Sequence, residues 1–447
     1  MKKGILYIIF SLFLLPAFCQ YKLVGGNKEP YKENQSNIFD VYLLDGLENA
    51  KISFSSDAIL SAQHQWYKYQ SRAIEAIPVV SYIEDGNTSY ITDIEDGYGY
   101  FVGSTNNPNT NYIWVIDYSL YVPTLRSFSF IEEENDDEED IMAGKCKAIR
   151  LQINADVKLL NFRNPSGVYD ELDRTFPITF DNLVWKDEQF IQEQGKIIYR
   201  GIGNEILWDA PLINTRFTLN TDSYSEYFGY EQKLETDLYE AKTFEVYSFA
   251  YIMNKNGEEE RYTPDDNPLP AESAPITIRL EAHCNELPGT MYEWLINKMD
   301  GETSNTIRRY TDANCETVID ESGVYQIILG ISSLNSTCEY KSVPYEYSIY
   351  IEESTLILPN AFTPGSSIGM NDVYKVKYKS LVKFKATIFN RWGNLIYQWD
   401  DPEQGWDGTV AGKYVPTGVY YIVVDAQGAD GKRYKKSSDI NILRSRN

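Results

Sequence analysis

The chain has 447 residues, 43% hydrophobic and 24% charged, and its 41 Lys and Arg against 65 Asp and Glu leave a net charge of −24 at neutral pH. That is the composition of a folded protein long enough for three or four domains, and such acidity argues against nucleic acid as a partner, because phosphate binding needs clustered cations. Only two histidines, His64 and His283, are present, which removes most triad, imidazole-base and zinc-hydrolase chemistry, so no catalytic residue, cofactor or metal ligand is expected.

Met1-Lys2-Lys3, the apolar run from Ile5 to Phe18, and the small residues Ala17 and Cys19 predict a secretory signal peptide over residues 1–19. The apolar run is too short to span a bilayer. Phe18 stands where lipoprotein signals usually carry a small residue, so Cys19 is not expected to be lipidated. In the oxidising compartment that such a signal implies, Cys146, Cys284, Cys315 and Cys338 allow three pairings. Three of them lie within 284–338, so a disulfide there is expected, Cys284 with Cys338 first. None has zinc-site spacing.

Period-two alternation and recurrent Gly, Asn and Asp turns predict an all-β protein of tandem Ig-like sandwiches. Over 20–130, strands are expected at Asp40–Leu44, Ala50–Ser55, Gln65–Tyr69, Val79–Ile83, Tyr98–Val102 and Tyr112–Tyr118, forming an Ig-like domain around Trp66. Eight of the nine residues Glu132–Asp140 are carboxylates; they repel one another and predict an exposed acidic linker over 131–144. Ala148–Val157, Phe176–Phe180, Lys196–Arg200, Arg216–Leu219 and Thr243–Tyr251 then predict a β-sandwich over 145–263. The prolines after Thr263 predict a second linker, 264–273.

Over 274–354, Ile276–Ala282 alternates cleanly, Trp294 sits on a middle strand and Gly323-Val324-Tyr325 enters a late one. This unit resembles the immunoglobulin-like and PKD-like sandwiches of extracellular proteins, in which a Tyr hydroxyl ties down a corner. Ile327 stands where an antibody domain carries its second Cys, so that disulfide is not implied.

Over 356–447, Pro359-Asn360-Ala361-Phe362-Thr363-Pro364 is followed by Asn371-Asp372, Asn390-Arg391-Trp392-Gly393, Trp406-Asp407-Gly408 and Gly418-Val419-Tyr420. Val382, Phe384, Ala386 and Ile388 share one strand face, Trp392-Gly393-Asn394 reads as a turn, and Asp430-Gly431 as a hairpin turn into the last strand. The glycines around Trp406 let its ring fold back onto apolar strands, with Asp407 capping the turn. In this order the motifs resemble the gliding-motility-associated C-terminal domain of Bacteroidetes, the type B sorting domain of the type IX secretion system. The resemblance implies passage through the periplasm, capture by the outer-membrane translocon, and delivery of the upstream domains to the cell surface or medium. Members typically carry Asn-Gly-Asp-Gly-x-Asn-Asp after the Phe-Thr-Pro; here Gly365 to Met370 leads to Asn371-Asp372.

Gly365-Ser366-Ser367-Ile368-Gly369 has the form of a hydrolase nucleophile elbow, but no His follows His283, so the order Ser, acid, His cannot be met. His283 and Cys284 are strand neighbours and point to opposite faces. The expected function is a non-enzymatic secreted or cell-surface protein. Its sandwiches serve adhesion or a structural stalk, its last domain is the export address, and its partners are the translocon and a surface glycan or a host or cell-surface protein. The alternative is a glycan-binding protein that stacks sugars on Trp208 or on Tyr224–Tyr230, and after it a glycoside hydrolase with an acidic pair in 145–265.

Overall fold

A computed structural model describes residues 20–55, 64–103, 110–135, 137–201, 203–253, 258–366, 369 and 371–444. The expected signal peptide and Ser367 lie outside them. The described chain is an all-β array of four domains.

In the first domain, strands Gln20–Val24, Lys51–Ser55, Thr88–Ile91 and Ile83–Asp85 form one sheet. Tyr31–Ser36, Phe39–Leu44, Tyr112–Asp117, Tyr98–Val102, Trp66–Tyr69 and Ile77–Pro78 form the other. The strand expected at Val79–Ile83 is instead a crossing between the sheets, and Val80 is exposed. Every residue of Tyr112–Asp117 is buried, because this strand, paired in parallel with Phe39–Leu44, is covered on both faces; hence its continuous apolar run. Leu44, Tyr100, Ile113 and Val115 meet Trp66 on one side, and Val41, Leu43, Trp114 and Ile116 meet Leu160, Phe162 and Phe228 of the next domain on the other. Trp66 and His64 both bond to the Ser89 hydroxyl, at 2.8 and 2.7 Å, so His64 is a core residue.

The second domain packs the sheet Thr124–Glu134, Lys147–Asp156 and Glu205–Asp209 on the sheet Gln189–Tyr199, Phe176–Lys186, Thr218–Asn220 and Lys233–Glu235. The acidic run is no interdomain linker. Glu132–Glu134 extend the first strand and pair with Lys147–Ile149, and cations offset the repulsion: Arg150 is bidentate on Glu133 at 2.6 and 2.8 Å, and Lys242 holds Glu132 at 2.5 Å. Asp137 then caps the short helix Glu138–Met142 through the amides of Glu139 and Asp140.

The third domain begins earlier than 274. Val246–Met253 and Glu259–Tyr262 join Ile276–Cys284 and Asn314–Ile319 in one sheet, because Ala250 and Ile252 belong to its core. The proline-rich segment is therefore a connection inside this domain, anchored by the buried Leu269, whose amide donates to Ser348 O at 2.9 Å. The opposing sheet holds Thr303–Tyr310, Thr290–Asp300, Gly323–Ser333 and Tyr340–Lys341, with Tyr347–Ile351 also on Gly323–Ser333. Trp294 is fully buried, and the Tyr325 hydroxyl donates to Glu321 O at 2.9 Å, closing the expected corner.

The expected Cys284–Cys338 pairing is overturned. Cys338 is bonded to Cys146, their Cα atoms 5.4 Å apart, within normal disulfide reach. Cys284 and Cys315 are free. Cys284 ends a core strand with its thiol 3.1 Å from the Tyr292 hydroxyl, whereas Cys146 leads into the second domain where that domain abuts the third. Proximity in sequence misled because the bond joins two domains.

The fourth domain is built on a five-stranded sheet ordered Ala361–Phe362, Arg433–Ile442, Gly418–Gly428, Leu381–Phe389 and Leu395–Trp399. The ribbons Thr355–Ile357 with Lys377–Lys379 and Thr409–Val410 with Lys413–Tyr414 complete it. Phe384, Ala386 and Ile388 enter the core. Val382 does not, since a bulge between Leu381 and Lys383 turns it onto the third domain's core.

Candidate functional site

Two features stand out: the joints between domains and the terminal domain. At the first joint, Tyr31 packs edge-on against Tyr224 and Tyr227, and the hydroxyls of Tyr224 and Tyr230 reach Glu33 and Asp45 at 3.1 and 2.6 Å. Tyr224 is thus buried in the joint and offers no face to a sugar, whereas Tyr227 keeps one side exposed. Beneath it lies a buried ion pair, Arg174 Nε donating to Asp222 Oδ2 at 2.5 Å with both side chains at most 3% exposed. Asp222 also accepts from the Tyr118 hydroxyl at 2.9 Å and caps the helix Ser223–Phe228. Arg174 also donates from Nη1 to Tyr121 O and Lys158 O and from Nη2 to the Tyr118 hydroxyl oxygen. A charge buried this deeply persists because each carboxylate oxygen and each guanidinium nitrogen has a partner.

The second joint carries the disulfide. Beside it the buried Asn285 donates to Leu212 O and Thr243 O, both at 2.9 Å, and accepts from Glu245 N at 2.8 Å. The tip of the hairpin Phe176–Tyr199 lies on the third domain: Trp185 stacks on Tyr247 with centroids 4.5 Å apart, and Glu188 pairs with Arg261. His283 meets the same Trp185 ring, away from the Cys284 thiol. Nearby, Glu346 is buried without a cation and accepts from Ser248 and from the Tyr340 hydroxyl; burial raises its carboxyl above the usual range.

At the third joint, Ser354 Oγ donates to Asp430 Oδ1 at 2.6 Å and the Tyr434 hydroxyl donates to Ser354 O at 2.8 Å. Gly428 permits this approach, since a Cβ there would lie 2.0 Å from Ser354 Oγ. Burial alone would raise the Asp430 carboxyl, but hydrogen bonds from Ser354 and Lys432 outweigh it and hold the group below the usual range.

Within the terminal domain most of the motif residues form one skeleton. Phe362, Tyr374, Tyr397 and Tyr420 surround Trp406, which is fully buried and donates from Nε1 to Thr409 O at 2.9 Å. Asp407 caps the turn through Thr409 N at 2.8 Å. Gly408, at φ +79°, leaves no room for a Cβ beside Pro364. Tyr374 donates to Pro359 O, Asn360 O accepts from Asn441, and Thr363 N donates to Asn371 O; Asp372 accepts from Gly369 N. Gly418-Val419-Tyr420 builds a second tyrosine corner, hydroxyl to Pro416 O at 3.1 Å, a twin of the third domain's. Asn390 accepts from the amides of Trp392 and Asn394, and Gly393 takes φ +82°, so the predicted turn forms. Arg391 and Trp392 stand apart: Trp392 is 71% exposed, with the guanidinium 4.2 Å from its ring centroid.

A cleft of about 470 Å³ lies beside the second joint, lined by Asn135, Asp140, Lys147, Asn182, Trp208 and Asp209 among others. Trp208, on the edge strand Glu205–Asp209, is half-exposed. Among the described residues no group of three His, Cys, Asp or Glu is placed to hold a metal, and no helix is long and apolar enough to cross a membrane.

Comparison with known proteins agrees with this construction. Residues 356–442 match the model of the CHU_C type IX secretion signal domain, and residues 139–236 match that of the fibronectin type III domain. The chain therefore ends in a type IX secretion signal domain preceded by fibronectin/Ig-like sandwiches, and it is a secreted multi-domain β-sandwich protein. No curated protein matches it. Solved structures similar to it include a tetra-tandem repeat from the extending region of a large adhesion protein, at 9% identity over 90% of this chain and 98% of that one, TM-score 0.21. The FN1–FN3 domains of chicken CNTN1 follow at 10% identity over 72% and 99%, TM-score 0.23. Latent PorU from Porphyromonas gingivalis matches at 12% over 74% and 35%, TM-score 0.17. Scores this low carry no argument.

Proposed function

We propose that this is a non-enzymatic protein of the cell surface, exported through the type IX translocon, whose upstream domains act as a stiff adhesive stalk. The observation that carries the reading is the construction of the joints: a shared aromatic core with the Arg174–Asp222 pair, the Cys146–Cys338 bond, and the Ser354–Asp430–Tyr434 cluster. Interdomain contacts of ordinary polar character leave domains free to rock; joints closed by packed rings, a disulfide and hydrogen-bonded side chains resist bending, as a stalk must. The test is a screen of residues 20–354 against glycan arrays and host and cell-surface proteins, with parallel turnover assays on polysaccharides. Saturable binding without turnover is expected; hydrolysis of a bound glycan would contradict it.

A second reading, secreted glycan binding, is favoured by Trp208, a half-exposed indole at a cleft carrying carboxylates, amides and lysine. Such a ring offers a stacking face beside polar groups that fix orientation. If that reading holds, Trp208→Ala abolishes array binding while leaving thermal stability unchanged.

A further inference from the structure

The sheet of the terminal domain has an outer face that no other described residue covers, and its two ends differ in chemistry. Cross-strand register aligns Lys385, Asp425 and Lys435 in one row, and Lys383 and Arg433 flank Gln427 in the row beside it. Further along, Thr387, Val423 and Ser437 form a row, then Leu395, Phe389, Tyr421 and Asp439, then Val419 and Asn441. Val419, Tyr421, Val423 and Leu395 are all exposed, and Trp392 stands at the hairpin beyond them. All four cations are exposed, and among the described residues none of them holds an ion pair. The face thus reads as a basic end leading into an apolar ridge.

Charge along the chain sharpens this. Residues 356–447 hold 13 Lys and Arg against 8 Asp and Glu, a net of +5, so the remaining residues carry −29 of the total −24. An acidic receptor would repel the passenger and attract only this domain, which gives selectivity through charge.

Resting on the export reading above, we propose that this sheet face, Lys385 and Lys435 with Tyr421 and Val423, is the surface by which the type IX export machinery reads the domain, through a protein component that presents carboxylates beside an apolar groove. The buried motif residues, Trp406 and Phe362 among them, then act only by holding the sheet in shape.

The test is made on the full chain in its own host, comparing Lys385→Glu with Lys435→Glu, Tyr421→Thr with Val423→Thr, and a chain lacking 356–447. Surface delivery is read by protease accessibility on intact cells, and folding by the protease resistance of the periplasmic form. Each double variant should stay folded while delivery falls about tenfold, the effect of losing one strong contact pair. Should a double variant misfold, Lys385→Gln with Lys435→Gln, which removes only exposed charge, must still lower delivery. Folded variants delivered like wild type beside a retained deletion would overturn the face and leave the export reading intact; delivery of the deleted chain would overturn both. Binding of purified full chain to anionic phospholipid vesicles that depends on Lys385 and Lys435, with export unchanged, would assign the face to lipid and overturn the proposal.

Discussion

Replacing Trp406 by Ala separates packing from display in the terminal domain. The indole is fully buried among Phe362, Tyr397 and Tyr420 and bonds to Thr409 O. Its loss removes a large ring from water-free surroundings and strands a carbonyl, at a cost of about 3–5 kcal/mol. That is at least about a fifth of the stability of a domain this size, equivalent to a fall of roughly 12–40 °C in its melting temperature. Hydrogen exchange on the full-length protein reads this locally: the amides of Leu381–Phe389 and Gly418–Gly428 should lose protection, while those of the first domain keep theirs. Trp392→Ala is the control, since its exposed ring should change stability by no more than about 0.5 kcal/mol. Unchanged protection in the Trp406 variant, or equal losses in both variants, would refute the assignment of Trp406 to the core.

Three further outcomes follow from the joints. Arg174→Met leaves Asp222 charged and buried, so urea unfolding of the first two domains should lose about 3–5 kcal/mol, and adding Asp222→Asn should recover part of it; a single variant as stable as wild type would contradict this. Peptide mapping should find Cys146 linked to Cys338, with Cys284 and Cys315 alkylated only after unfolding, because burial pushes their thiols up to about 11 and about 12; a Cys284 crosslink would contradict it. Glu346 holds its proton more tightly folded than unfolded, so its favourable contribution is complete below the unfolded pKa and is lost as pH rises through the raised folded value. Glu346→Gln should therefore raise the melting temperature at pH 8 and leave it unchanged near pH 4; equal shifts at both would contradict the assignment.

Local chemistry was readable in the residues. Alternation placed Tyr98–Val102 and the core face of Phe384, Ala386 and Ile388, and the Gly-x-Tyr spacing located the corner at Tyr325. What failed were statements about neighbours distant in sequence. Glu132–Glu134 look like a linker until Arg150 and Lys242 arrive from elsewhere in the chain, and Tyr224 looks like part of a binding surface until Tyr31 and Glu33 close over it. Cys146 looks isolated until two domains meet. The same limit explains Trp392 and Trp406, both set in glycine-containing turns although one ring is in water and the other is in the core. Only the sheet behind the turn distinguishes them. A signal for Arg174 was available, since an Arg between apolar strands with Asp222 at a helix start suggests a buried pair, but spacing alone could not join them.

The central claim, that residues 356–447 are the export address of a separately folded passenger, is tested most directly by expressing the chain truncated after Glu353 in its native host. The account predicts a passenger retained in the periplasm, folded and carrying the Cys146–Cys338 bond, while the full chain reaches the cell surface or medium. Truncated protein delivered outside the cell as efficiently as the full chain would contradict it.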